Sequence, residues 1–135
     1  MKGWEARNAQ WVEKLGLTTR DRVVADTAIL LGVEPGAVYP TKELPEIALA
    51  PGVTARASWG KGALLETLTM EPGAEYPGHE LTGEAITRVL NGSATCVVDG
   101  RSLNLVQGSL LYLTEGIKRT LRAGPEGLRA LEVFS

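Results

Sequence analysis

The chain lacks several features that would place it in a common functional class. It has one cysteine, Cys96, which excludes an internal disulfide and favours a reducing compartment. Its net charge is −2 and its basic residues form no run, so nothing indicates a nucleic-acid surface. Charged residues such as Glu5 and Lys14 interrupt the N-terminus where a signal peptide needs an apolar core. The longest apolar run, from Ala28 to Val33, is too short to cross a bilayer. We therefore expect a cytoplasmic protein without nucleic-acid or membrane partners.

What is present fits one small domain with an extension. The 135 residues, of which 44% are hydrophobic, are enough to bury a core. Near the N-terminus, Trp4, Trp11 and Leu15 lie at helical spacing and Gly16 can end the helix. Residues 18–34 fit either a helix or two short strands, and the prolines of residues 34–52 indicate irregular or edge structure. The sequence therefore predicts a helical or irregular extension over residues 1–44 and a β-domain over residues 45–135.

The β-domain is predicted from short apolar runs separated by turn residues. Asn91-Gly92 and Asp99-Gly100 both lie between such runs, which indicates hairpin turns. Many short strands at even spacing are typical of a sandwich or barrel. The predicted strands cover 63–70, 86–90, 93–98, 110–113, 119–122 and 128–134, with a turn over 123–127 between the last two.

Four glycines have a regular spacing. In the first block, Gly73 precedes His79 by five intervening residues; one residue separates His79 from Leu81, three separate Leu81 from Ala85, and six lead to Gly92. In the second block, Gly108 is followed by five residues, Thr114, one residue, Gly116, two residues and Arg119. Fifteen residues separate the two blocks.

This spacing resembles the two-motif signature of the cupin superfamily, and the likeness covers roughly residues 45–135. The ending from Leu128 to Ser135 resembles the closing strand of small cupins related to pectin-degradation proteins. The stretch from Pro51 to Gly60 resembles the lead-in strand of anti-sigma-factor-type cupins. The resemblance implies an all-β fold, a cupin double-stranded β-helix (jelly-roll) barrel, and pairing of two barrels as a homodimer.

The metal ligands of the family are largely missing. The resemblance implies ligands at the positions of His79, Leu81, Ala85 and Arg119, and His79 is the one ligand type retained. Leucine and alanine cannot coordinate a metal, and an arginine places a fixed positive charge where the cation would lie. We therefore expect a degenerate site with no metal cofactor, in which Leu81 and Ala85 line the pocket.

The remaining candidates are residues of the barrel or its rim, of which the same register turns His79 and Arg119 inward. His79 is expected to contact ligand and could serve as a general base. Arg119 needs an anionic partner if it is buried, either an internal carboxylate such as Glu66 or a ligand. Glu66 could also lie on the outer face. Tyr76 and Tyr112 are expected at the rim as further ligand contacts, with Tyr112 a candidate acid.

Three functions remain open at this point. The first is a binding or sensory barrel for a small anionic metabolite, such as a sugar acid, keto acid or sugar phosphate, held by Arg119 and His79. The second is a metal-independent epimerase, isomerase or lyase acting on a sugar or sugar acid, with His79 as base. The third is a structural or regulatory dimer module without a ligand.

Overall fold

The strands cover most of the β-domain. The computed structural model describes residues 36–44, 46–59, 64–81 and 83–134, with the side chains at positions 59 and 78–80 outside that description. The helix expected near Trp4 and the ambiguous segment 18–34 lie outside the described residues. Within the described residues, a 3₁₀ turn, Thr41–Glu43, precedes the strands. The described residues form eight strands: β1 Glu46–Ala50, β2 Val53–Trp59, β3 Leu64–Met70, β4 Glu75–Glu80, β5 Ala85–Val98, β6 Arg101–Val106, β7 Leu110–Leu113 and β8 Lys118–Phe134.

Two long strands, β5 and β8, join two sheets into one barrel. The first half of β5 and the second half of β8 pair with each other, with β7 beside β5 and with β3, β2 and β1 beside β8. The second half of β5 and the first half of β8 also pair, with β6 on one side and β4 on the other. We call these the larger and the smaller sheet. The two sheets pack face to face, as in a jelly roll.

The passage from one sheet to the other takes place at glycines within the long strands. The expectation that Asn91-Gly92 ends a strand in a hairpin is wrong, because β5 continues through it with a register shift. The expected turn over 123–127 is likewise part of β8. Gly92 and Gly127 have φ angles of 77° and 81°, and a Cβ built on Gly92 would lie 2.0 Å from the carbonyl oxygen of Gly127. Only glycine allows the two backbones to approach so closely while both strands bend.

Other turn predictions are confirmed. All four regularly spaced glycines adopt positive φ, from 72° at Gly73 to 87° at Gly108. Asp99 and Gly100 also have positive φ and join β5 to β6 in a two-residue hairpin. Both central residues of such a turn need this conformation, which explains the Asp-Gly sequence.

Strict alternation along the strands separates the core from the surface. In β3, Leu64, Leu68 and Met70 are buried, whereas Leu65 and Thr69 point outward. The residues that line the interior are mostly aliphatic, with many alanines among them. Among the described residues, no helix is long and apolar enough to cross a membrane.

The close approach at Gly92 predicts a marked sensitivity to substitution. Gly92→Ala should destabilise the barrel for two reasons. Alanine at positive φ costs about 1–2 kcal/mol, and its Cβ would also force the Gly127 backbone to move away. Gly100→Ala is the matched control, because Gly100 has a similar φ of 75° but nothing within 4 Å of an added Cβ. Urea unfolding should show a clearly larger loss of unfolding free energy for Gly92→Ala than for Gly100→Ala. Equal losses in the two variants would contradict the close approach.

Candidate functional site

A row of polar side chains crosses the inner face of the larger sheet. Glu66 in β3 is directly opposite Glu132 in β8, and Glu132 is directly opposite Thr87 in β5. These three side chains are 0%, 0% and 2% exposed. Each lies at an inward position of its strand, so the alternation that buries the leucines also buries these polar groups.

Arg119 reaches this row from the smaller sheet. It lies in the first half of β8, opposite Val98, and is 4% exposed. Its Nη2 is 2.5 Å from Glu132 Oε2, and its Nη1 donates a hydrogen bond of 2.9 Å to Thr87 Oγ1. The Thr87 hydroxyl in turn donates to Glu132 Oε2 at 2.6 Å. The three side chains therefore form a closed network, which we call the Arg119 network.

The network supplies the internal partner that a buried arginine requires. Arg119 faces inward, as the motif register predicts, and the internal carboxylate that it pairs with is Glu132 rather than Glu66. Glu66 is also inside the barrel, so its alternative placement on the outer face is wrong. The argument that Arg119 needs an anionic ligand for charge balance no longer holds.

Cys96 lies in the same part of the interior and is fully buried. Its neighbour across the strand pair is Leu121, two residues beyond Arg119. Burial raises the pKa of the Cys96 thiol, Arg119 lowers it in part, and Glu132 raises it further. The thiol is therefore protonated near neutral pH and is a poor nucleophile.

Three other sequence candidates lie in the interior. Tyr76 is 6% exposed and opposite Leu121, while Leu81 and Ala85 are 6% and 1% exposed. Leu81 is also fixed through its backbone, which exchanges hydrogen bonds of 2.8 Å with Ile117 and Gly116. Tyr76 is thus a core residue below the rim rather than part of it.

The backbone of His79 lies beside the backbone of Arg119 in the smaller sheet. Pro77 pairs with Thr120 and Glu80 pairs with Lys118, so Gly78 and His79 together oppose Arg119 in an irregular stretch of the ladder. The register therefore brings His79 and Arg119 to neighbouring strands at the same level of the smaller sheet.

Tyr112 is not part of the interior site. It is 53% exposed on the outer face of β7, and its hydroxyl donates a hydrogen bond of 2.7 Å to Glu84 Oε2. That hydrogen bond is the main reason why the pKa of Tyr112 is raised. The structure thus gives Tyr112 neither the position nor the acidity of an interior proton donor.

Solved structures share this barrel and its strand arrangement. KdgF from a Halomonas species matches with a TM-score of 0.64 and 16% identity over 73% of this chain and 93% of that one. An RmlC-like cupin from Shewanella frigidimarina matches with a TM-score of 0.67 and 16% identity, over 76% of this chain and 91% of that one. The polyketide cyclase RemF from Streptomyces resistomycificus matches with a TM-score of 0.63 and 21% identity, over 73% of this chain and 78% of that one. The barrel has the cupin fold.

No protein-family profile and no curated protein matches the sequence. The cupin fold is therefore established by structure and by the glycine framework, whereas the side chains of the site must be interpreted from their own chemistry.

The described interior does not fit the metal that cupin barrels commonly hold. At three of the four positions where the family resemblance places ligands, Leu81 and Ala85 offer no donor atom and Arg119 is a cation. The Arg119 guanidinium is held there by Glu132 and Thr87. Among the described residues, no three His, Cys, Asp or Glu side chains group as metal ligands. We therefore derive no chemistry from a metal at this position.

Sequence reasoning missed Glu132 and Thr87, although a signal was present. Thr87 is two residues beyond Ala85, an inward position in the cupin motif, and therefore shares its face. In the closing strand, the charged Arg129 is expected to point outward. Strict alternation then places Leu131 and Val133 outward as well and turns Glu132 inward, as the structure shows. The apolar residues on both faces of this strand conceal that alternation.

The Arg119 network predicts strong coupling between its two charges. Arg119→Met or Glu132→Leu alone should destabilise the barrel by about 3–5 kcal/mol, because each removes one partner of a buried ion pair. The double variant should lose much less unfolding free energy than the sum of the losses in the two single variants. Urea unfolding of all three variants measures these losses.

The exposed pair Arg122 and Glu75, 3.7 Å apart, provides the control for this cycle. Arg122→Met and Glu75→Leu should each change the stability by less than about 1 kcal/mol and show little coupling. Additive losses at Arg119 and Glu132 would show that the ion pair does not form in solution. If a single variant does not fold, a folded double variant leads to the same conclusion as strong coupling.

Proposed function

We propose that this chain is a metal-independent cupin barrel that binds a small hydroxylated molecule, in a binding or sensory role. The observation that carries the proposal is the buried Arg119 network at the level where the cupin motif would place a metal ligand. A few polar groups converging within an apolar barrel are typical of small-molecule sites.

The energetics of the network support a role beyond stability. Burying an arginine and a glutamate costs several kcal/mol for each ion, and their attraction often only offsets this cost. Well-packed apolar side chains of similar volume usually stabilise a core as well or better. A polar cluster among the aliphatic residues of the interior is therefore better explained by recognition than by packing.

The composition of the interior favours hydroxyl groups over a charged ligand. Glu132 already matches the charge of Arg119, so the guanidinium does not require a charged ligand. An added anion would meet the Glu132 carboxylate, which is already paired with Arg119, and would be repelled by it. A hydroxyl group can accept from the guanidinium and donate to a carboxylate, so a sugar or polyol complements both. This changes the expected ligand from an anionic to a neutral metabolite.

A second candidate function is acid–base catalysis without a metal. The observation that favours it is the position of His79, the only histidine of the chain, opposite Arg119 on the adjacent strand. A histidine at the level of the network could exchange a proton with a bound sugar. An epimerase, isomerase or lyase would result, whereas a sensor needs binding alone.

The homodimer implied by the family resemblance is also a proposal, and one surface supports it. On the outer face of the larger sheet, Leu65, Val133, Ile86 and Tyr112 form one continuous row across four strands. Leu65, Ile86 and Tyr112 are 43%, 40% and 53% exposed. An apolar row of this kind can pair with the same row of a second copy about a twofold axis.

Ligand binding should appear as stabilisation that depends on Thr87. In a thermal-shift screen, neutral sugars and polyols should raise the melting temperature more than sugar acids, keto acids or sugar phosphates. At a hundredfold excess over the dissociation constant, the gain should be about 2.7 kcal/mol. Thr87→Val should abolish the shift while preserving side-chain shape, whereas Thr95→Val, outside the network, should retain it. Addition of a chelator should leave the shift unchanged.

The screen separates the candidate functions. Shifts produced by anions alone would overturn the neutral-ligand proposal and restore the anionic one. Shifts lost on chelation would contradict metal independence. If no compound shifts the wild type, the ligand-free structural module is favoured. A compound that binds and exchanges a carbon-bound hydrogen in D₂O, with exchange lost in His79→Ala, would favour the enzyme.

Assembly is tested by light scattering at micromolar concentration. The wild type should have the mass of a dimer, and Ile86→Lys should give a monomer, because the lysine interrupts the apolar row. Val106→Lys is the matched control, since Val106 is 58% exposed but lies in β6 of the smaller sheet. A monomeric wild type, or equal dissociation by both variants, would contradict pairing through this row.

A further inference from the structure

A polar cleft lies on the outer face of the larger sheet, away from the barrel interior. Its volume is about 150 Å³, and the 3₁₀ turn Thr41–Glu43 forms one wall above β1, β2, β3 and β8. Threonines and cations supply most of its lining, namely Thr54, Thr67, Thr69, Lys42, Arg56 and Arg129.

Strand register explains why these residues meet. Thr54 in β2 is opposite Thr69 in β3, and Thr69 is opposite Arg129 in β8, so the three form one outward row. Arg56 and Thr67 are opposite each other in the parallel row two residues away. Every second residue faces outward in a strand, so both rows face the same side of the sheet.

Arg56 fixes the wall of the cleft to the sheet. Its Nη1 donates hydrogen bonds to the carbonyl oxygens of Lys42, at 3.0 Å, and Leu44, at 2.5 Å. Its Nη2 is 3.2 Å from Glu46 Oε2. These contacts tie the 3₁₀ turn to β1 and β2, which holds Lys42 against the cleft.

The charges of the cleft are unbalanced. Lys42, Arg56 and Arg129 face a single carboxylate, Glu46, and that carboxylate is already paired with Arg56. No acidic side chain among the described residues pairs with Lys42 or Arg129. Two further cations therefore line a cleft whose floor carries three hydroxyl groups.

We propose that this cleft binds a small oxyanion, a phosphate or carboxylate group, between Arg129 and Lys42. A guanidinium can hold two oxygens of such a group, the ammonium adds a third charged donor, and the threonine hydroxyls complete the hydrogen bonds. The cleft is independent of the Arg119 network, because it lies on the opposite face of the same strands. The chain thus carries a neutral-ligand site inside the barrel and an anion site outside it.

The test is isothermal titration of the full chain with inorganic phosphate, at an ionic strength held constant with sodium chloride. The wild type should bind phosphate saturably with one site. Arg129→Gln should weaken binding by about tenfold or more, since it removes charge-assisted hydrogen bonds. Thr69→Val should weaken it less, through loss of a neutral hydrogen bond. A parallel titration with acetate distinguishes a carboxylate site from a phosphate site.

Arg101→Gln is the matched control, because Arg101 is also an exposed arginine on a strand, β6, outside the cleft. It should change phosphate affinity by less than about twofold, as expected for a remote surface charge. Both substituted arginines are exposed, so circular dichroism should show unchanged folding. Absence of saturable binding of either anion, or an equal loss in Arg101→Gln, would overturn the proposal.

Discussion

The contact between Arg119 and Glu132 joins the two sheets of the barrel across its interior. Both residues belong to β8, but the bend in that strand places one in the smaller sheet and the other in the larger. Thr87 connects the pair to β5, the other strand that runs through both sheets. The three side chains therefore bridge the interior between the two sheets, in addition to the backbone pairing of β5 with β8.

This arrangement buries three polar side chains within an apolar core, where each is at most 4% exposed. Leucines and alanines make up much of the buried core. In a region of low dielectric constant, each hydrogen bond of the network is stronger, and each lost partner is more costly. A ligand of the proposed kind would therefore have to exchange hydrogen bonds with the network without exposing a bare charge.

Sequence reasoning recovers those parts of the fold that local chemistry determines. The four framework glycines and the Asp99-Gly100 hairpin were predictable, because positive φ restricts the residue type. Asn91-Gly92 was misassigned because a glycine with positive φ serves a tight turn and a bend within a strand equally well. Only the approach of Gly127, thirty-five residues later, distinguishes them.

The site was predictable only in part for a related reason. The inward direction of Arg119 follows from the motif, but its partner depends on how the two halves of β8 face each other across the barrel. Glu66 and Glu132 have similar sequence surroundings, and the strand order alone decides which carboxylate meets the guanidinium. The outer cleft had no sequence signal at all, because its residues come from four segments that only the register brings together.

The central place of β8 has a consequence for the order in which the chain can fold. β8 is the last described strand along the chain, yet it lies between β3 and β5 in the larger sheet and beside β4 in the smaller one. During synthesis, the edges of β3 and β5 that pair with β8 remain unpaired until residues as far as Phe134 have left the ribosome. Such long-range pairing is slow, and unpaired apolar edges are prone to aggregation. The nascent chain is therefore most vulnerable just before β8 inserts, and protection by a chaperone would matter most at that moment.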